Sequence, residues 1–112
     1  MSNVSKGKTG EQMAVTYLKH RFYKILECNY RCRMGEIDII AQKGSYIIFV
    51  EVKYRQNDSR GKPYEAVNYH KQTHIRNTAS YYLMEKGLQN VDCRFDVISI
   101  LGKEITHFKN AF

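Results

Sequence analysis

Apolar positions recur along this chain with two periods. Met13, Ala14, Tyr17, Leu18 and Arg21 follow one another at helical spacing, and Thr9 with Gln12 forms a T-x-x-Q capping box. Together they predict a first helix over about 10–22. Glu11 stands three residues before Ala14 and seven before Leu18, so it shares that helix's inward stripe rather than its wet face. Extended segments follow over about 23–32, 36–42 and 46–54. Lys43-Gly44-Ser45-Tyr46 closes the last two as a tight hairpin with Gly44 and Ser45 at its centre. With Lys43 opposite Tyr46, Ile40 faces Phe49, Asp38 faces Glu51 and Glu36 faces Lys53. A second helix is predicted over about 68–86, with Ile75, Ala79, Tyr82 and Leu83 as its core stripe and Gly87 as its stop. Lys71, four residues before Ile75, is aimed inward at the first turn. CRFDVISIL, over about 93–101, is a fourth strand, and EITHF fits a short edge strand beside it.

A strand, a crossover helix and a strand usually make a parallel unit. The expected sheet is therefore mixed, an antiparallel meander extended through a parallel neighbour with helices on its faces, and the class is α/β. The 112 residues suffice for one core, so 1–112 is expected to be a single domain with its site built on that core.

FVEVKYR, residues 49–55, departs from the pattern of a buried strand. Phe49, Val50, Val52 and Tyr54 suit the middle of a sheet, yet Glu51 and Lys53 share one face among them. The register sets Asp38 beside Glu51 on the neighbouring strand, and two like charges opposed in a half-buried place destabilise the sheet unless something positive lies between them. A divalent cation held by oxygens is one solution, because Mg²⁺ accepts one or two carboxylates together with waters and phosphate oxygens. Lys53, two residues on, can then stabilise a developing charge or help orient an attacking water. The other solution is a structural ion pair of Glu51 or Glu36 with Lys53 across the hairpin.

Charge adds direction. The net charge is +7, and up to Lys62 there are 12 Lys and Arg against 6 Asp and Glu, so the first part of the chain carries +6 of it. A basic half points to a polyanion, most commonly nucleic acid. Lys6 and Lys8, Arg31 and Arg33, Arg55, Arg60, Lys62 and Arg76 are the candidate phosphate contacts, each of which also reads as a solvated surface charge. Arg55 stands out because it follows Lys53 on the same strand face. Arg60 and Lys62 belong to QNDSRGKPYEAVN, a polar segment with the sole proline that reads as a surface loop.

Three cysteines, an odd number, argue against a disulfide framework. Cys28 and Cys32 are four apart on an extended segment, roughly 13 Å, too far for one zinc ion. His70 and His74 read as exposed helix histidines, and Tyr82 as core; Tyr64, Tyr69 and Tyr81 are open between surface positions and base-stacking platforms. No apolar run reaches the roughly 18–20 residues of a membrane span, and MSNVSKGKTGEQ lacks a signal peptide's apolar stretch, so the expected address is the cytoplasm.

Asp38, Glu51-Val52-Lys53 on the next strand, and an upstream G-x-x-G-E (Gly7, Gly10, Glu11) together resemble the PD-(D/E)XK restriction-endonuclease-like superfamily, especially the archaeal Holliday-junction resolvases. GEIDIIA, FVEVKYR, the Lys71-to-Leu83 helix, RFDVI and the terminal NAF are similar, more closely, to the YraN-type family of small bacterial proteins. Ile37 stands where the founding motif has proline, a change that removes no ligand. The resemblance implies a restriction-endonuclease-like sheet and a metal-dependent endonuclease acting on DNA, branched or structured DNA included, as a homodimer. It implies Mg²⁺ or Mn²⁺ on Asp38, Glu51 and the Val52 carbonyl, with Lys53 as the catalytic lysine and Glu11 as a further ligand or a water-orienting acid. Lys71 takes the auxiliary helical position near substrate phosphate, and Glu36 either neutralises Lys53 or joins the site. Two other readings of the same residues stay open: a nucleic-acid-binding module without chemistry, and a structural partner in a DNA repair or uptake complex.

Overall fold

The computed structural model describes residues 3–56 and 67–112; the side chains of residues 3–8 fall outside that description. Among the described residues seven elements follow in order: α1 (Asn3–His20), β1 (Lys24–Cys32), β2 (Gly35–Lys43), β3 (Tyr46–Arg55), α2 (Tyr69–Glu85), β4 (Asp92–Leu101) and β5 (Glu104–Phe108). The five strands form one sheet in sequential order, and only β3 and β4 run parallel. This is the mixed α/β sheet expected from the sequence, with the crossover supplied by α2 and the edge by β5. Among the described residues no helix is long and apolar enough to cross a membrane.

α1 corrects one expectation. It begins at Asn3, so Thr9 and Gln12 lie inside the helix and no capping box forms there. Propagation adds one hydrogen bond per residue, and nothing in the stretch before Thr9 is a proline that would stop it. Gly10 then permits a close approach, since a Cβ there would stand 2.8 Å from the Cβ of Tyr54 on β3. The helix ends in a Schellman closure, in which Tyr23 N–H donates to the Leu18 carbonyl and Phe22 N–H to that of Lys19, both at 3.0 Å. Phe22 takes the left-handed position at φ 68, where glycine is usual. α2 closes the same way with Gly87 at φ 67, as the sequence predicts.

The helices cover opposite faces of the sheet. Ala14 and Leu18 of α1 pack with Ile39, Ile48, Val50 and Ile98, whereas Ile75, Ala79 and Tyr82 of α2 pack with Ile37, Ile40, Phe49 and Val97. Leu83, expected in the α2 stripe, is half-buried, and Thr78 joins the buried set instead, its hydroxyl donating to the His74 carbonyl at 2.7 Å.

Candidate active site

Strand alternation puts Glu51 and Lys53 on the α2 face, with Phe49 and Ile47. Glu51 is only 6% exposed, and its register neighbour on β4 is Val97, which is fully buried. A carboxylate so placed needs a partner. It has Lys71, whose Nζ forms an ion pair with Glu51 Oε2 from the first turn of α2. Asn68 caps that turn, its Oδ1 accepting from Lys71 N–H at 2.9 Å. Burial works against the charge on Lys71, but the hydrogen bond and charge of Glu51, followed by Asp38 and Glu36, hold its ammonium above the ordinary value.

The predicted pairing of β2 with β3 forms from Lys43↔Tyr46 through Ile39↔Val50, and there the ladder ends. At Asp38 the face alternation of β2 breaks, for Ile39 packs on the α1 side and Ile37 on the α2 side. The Asp38 carboxylate turns to the gap, and its Oδ2 accepts from Val52 N–H at 2.8 Å. In an extended strand a residue's N–H and C=O point to the same side, so the Val52 carbonyl faces the gap too. The Asp38 carboxyl also interacts directly with that of Glu51. Burial first, then the Glu51 charge, raises the Asp38 carboxyl to about 7 against the pull of Val52 N–H; Glu11 adds a smaller push.

The two acids are thus brought together, although by a turned side chain rather than the continuous ladder the sequence predicts. The cross-strand arrangement of Glu36 and Lys53 does not form. Glu36 Oε2 accepts instead from Arg31 Nε at 2.7 Å, in an exposed pair. The ladder's end removes the register that would have set Glu36 opposite Lys53. Nor does Lys53 pair with Glu51: among the described residues Lys53 has no ion-pair partner, leaving its amine on the acids' face for another anion.

Glu11 comes from the opposite face. Its Oε1 accepts from Asn29 Nδ2 at 2.8 Å. Asn29 sits inside β1 at φ 55, a conformation asparagine tolerates better than most residues. An asparagine within KILECNYRC, where β propensity disfavours it, is the sequence signal for this kink, which strand periodicity alone does not register. Among the described residues no group of three His, Cys, Asp or Glu is drawn together to hold a metal ion, although the charge of Glu11 reaches Asp38. Asp38, Glu51 and the Val52 carbonyl form an all-oxygen donor set, which suits Mg²⁺ with water completing its shell.

The candidate phosphate contacts scatter. Arg33 is exposed in the turn between β1 and β2. Arg55 ends β3 half-buried and engaged. Arg76 lies over the rings of Phe95 and Phe112, at 5.6 and 5.4 Å from their centroids. Arg60, Lys62 and Tyr64 lie outside the described residues, as do the side chains of Lys6 and Lys8. His70 and His74 are exposed, Tyr69 is exposed, Tyr81 is half-buried and Tyr82 is core. Cys28, Cys32 and Cys93 are free thiols.

A second polar cluster, which the sequence reading also missed, closes the far side of the sheet. Asp96 is fully buried, and its carboxylate accepts from Arg94 Nε at 2.9 Å, Arg94 Nη2 at 2.8 Å and Asn110 N–H at 2.9 Å. His107 Nε2 lies 2.7 Å away and Tyr17 Oη is 3.2 Å from His107 Nδ1. Every acceptor site of Asp96 is engaged inside the fold, which makes the cluster a tie between β4 and the C-terminal residues. Its sequence signal is RFDVI, two charged residues of opposite sign in an apolar strand.

Residues 10–100 match the model of a family described as "Uncharacterised protein family UPF0102". A UPF0102 protein of Lachnoclostridium phytofermentans is 50% identical over 113 residues, covering 100% of this chain and 96% of its own. One from Clostridioides difficile is 50% identical over 114 residues, covering 100% of both chains. One from Thermodesulfovibrio yellowstonii is 48% identical over 113 residues, covering 100% of this chain and 99% of its own.

Proposed function

Since the chain belongs to the UPF0102 family, which is the YraN-like family anticipated from its motifs, we propose from the acid pair itself that it is a metal-dependent endonuclease of PD-(D/E)XK type, hydrolysing DNA phosphodiester bonds. The observation that carries this reading is the contact between the carboxyl groups of Asp38 and Glu51, beside a lysine with no ion-pair partner among the described residues. A sheet gains nothing by burying two acids against each other. A cation site requires it.

Asp38, Glu51 and the Val52 carbonyl would hold Mg²⁺ or Mn²⁺. When bound, such an ion polarises a phosphoryl oxygen and provides a water nucleophile at neutral pH. Lys53 reaches the same face from β3, where its amine orients the attacking water and offsets charge on the phosphate. Val52 N–H fixes the Asp38 carboxylate, which keeps the site open toward the gap. Glu11, held by Asn29, orients the outer edge of the site from the α1 side. Branched or structured DNA as substrate, a homodimer as the active form and a cytoplasmic address are parts of the same proposal, supported by the resemblance to resolvases and by the basic first half of the chain. The phosphate contacts proposed within it are Lys8, Arg33, Arg55, Arg60, Lys62, Lys71 and Arg76.

The test is cleavage of linear, nicked, flapped and four-way DNA with MgCl₂ or MnCl₂, read on denaturing gels for the wild type and Glu51→Gln. Cutting by the wild type and none by the variant is the expected result. If both bind DNA and neither cuts any of the four, the chain is a binding module that lacks chemistry.

A further inference from the structure

Lys71 has a place that helix formation alone does not account for. It stands in the first turn of α2, where the helix dipole favours anions over a cation, and that turn contains no acid. Its ammonium is paired instead with Glu51 Oε2, the less exposed of the two partners. An ammonium and a divalent ion on one carboxylate repel each other, the more so as water is excluded, so the two compete for Glu51. Resting on the metal reading above, we propose that Lys71 is the resident counter-cation of the acid pair and that a divalent ion enters by exchange, displacing the Lys71 ammonium from Glu51 and freeing it to meet an anionic oxygen of the substrate.

The geometry suits an exchange. The Lys71 side chain is 49% exposed while that of Glu51 is 7% exposed, so the lysine stem can swing to solvent without opening the core. Its backbone stays fixed, since the N–H remains tied to Asn68 Oδ1. Only the four-carbon stem moves, and the amine then points from the helix terminus toward the space in front of Glu51 and Lys53. The device keeps Glu51 compensated in the empty site and adds a second positive group only once the first has been replaced.

The experiment is calorimetric titration of the metal-free chain with MnCl₂ at pH 8, without DNA, for the wild type, Lys71→Met and Lys71→Arg. Circular dichroism checks that each variant is folded. Exchange predicts that Lys71→Met binds Mn²⁺ about tenfold tighter or more, because the competing ion pair is gone, and that Lys71→Arg does not. In the wild type the Lys71 side-chain ammonium signal, followed by nitrogen-15 NMR, should lose its protection when MgCl₂ is added. If the wild type binds Mn²⁺ and Lys71→Met binds it equally or more weakly, Lys71 is not a competitor and the exchange is refuted while the metal site stands. If neither binds Mn²⁺, the metal reading falls and the exchange falls with it.

Discussion

Val52 N–H donates to the Asp38 carboxylate at 2.8 Å, across a gap that opens where the ladder between β2 and β3 ends at Ile39 and Val50. That one bond turns a side chain that should have stood on a sheet face into the plane of the sheet, next to Glu51. The consequence is electrostatic. Asp38 is raised from 3.8 to about 7, chiefly by burial and then by Glu51. From about pH 4 upward the unfolded chain has lost a proton that the folded chain still holds. Folding stability therefore falls across the window from about pH 4 to 7, and the ionised acid is a net cost above it. Asn at this position keeps an acceptor for Val52 N–H and removes the charge. Asp38→Asn is expected to match the wild type near pH 4, to exceed it at pH 8 by on the order of 2 kcal/mol, and to bind no Mn²⁺. Urea unfolding at the two pH values measures this, and an equal pH slope in variant and wild type would show that Asp38 ionises normally.

Lys53 makes a contrasting case, since it shares a strand face with Glu51 but has no ion-pair partner among the described residues. Its removal should leave the fold alone. Lys53→Met is expected to change stability by less than about 0.5 kcal/mol, to leave DNA and Mn²⁺ binding unchanged, and to lower cleavage by roughly 10²–10⁴-fold. A destabilised variant with intact cleavage would return Lys53 to the role of a structural cation.

The periodicities in the sequence were enough to place all seven elements, the parallel crossover, the hairpin register through Ile39 and Val50, and the inward aim of Lys71. These follow from local rules, a period of 3.6 or 2 and a tight turn. What was not legible depends on where a rule stops. Nothing in GEIDIIA announces that alternation breaks at Asp38, because the break is set by competition between a side-chain and a main-chain acceptor for Val52 N–H. The same holds for Glu36, which takes Arg31 once the ladder no longer delivers Lys53. Thr9 misled because a capping box specifies a helix start only when the helix does not continue through it, and here it continues back to Asn3.

Gly10 controls how closely α1 lies on β3. An alanine Cβ would meet Tyr54 Cβ at 2.8 Å and Cγ at 3.0 Å. The first of these atoms is anchored to the strand backbone and cannot turn away. The better helix propensity of alanine, worth about 1 kcal/mol, offsets part of the cost. Gly10→Ala is expected to destabilise the fold by about 1–2 kcal/mol net, through overpacking. Because Glu11 is the next residue, the displaced helix should also draw it from Asn29. Thermal unfolding decides the first point, and a variant more stable than the wild type would mean that α1 slides freely on the sheet.

Asp96 tests the opposite end of the fold, where the buried charge is fully compensated. Burial alone would raise its carboxyl, but the hydrogen bonds of His107, Arg94 and Asn110 N–H outweigh it and hold the group below its ordinary value. Its contribution is therefore complete above about pH 4, the unfolded value, and is lost only as the pH falls through the lower folded value. Replacing it removes the acceptor for Arg94, whose side chain is 19% exposed, and for His107, at 3% exposed. Asp96→Ala is expected to cost about 3–5 kcal/mol at pH 7, the usual result of stranding the partners of a buried ion pair. Asp96→Asn, which can still accept from Asn110 N–H, should lose less. Since Asn110 and Ala111 tie the C-terminal residues to Asp96 and to the Phe95 carbonyl, limited proteolysis should release the segment after Phe108 sooner in both variants than in the wild type. Equal cleavage times would mean that Phe112, stacked on Phe95 at 5.3 Å between centroids, holds the segment without help from Asp96.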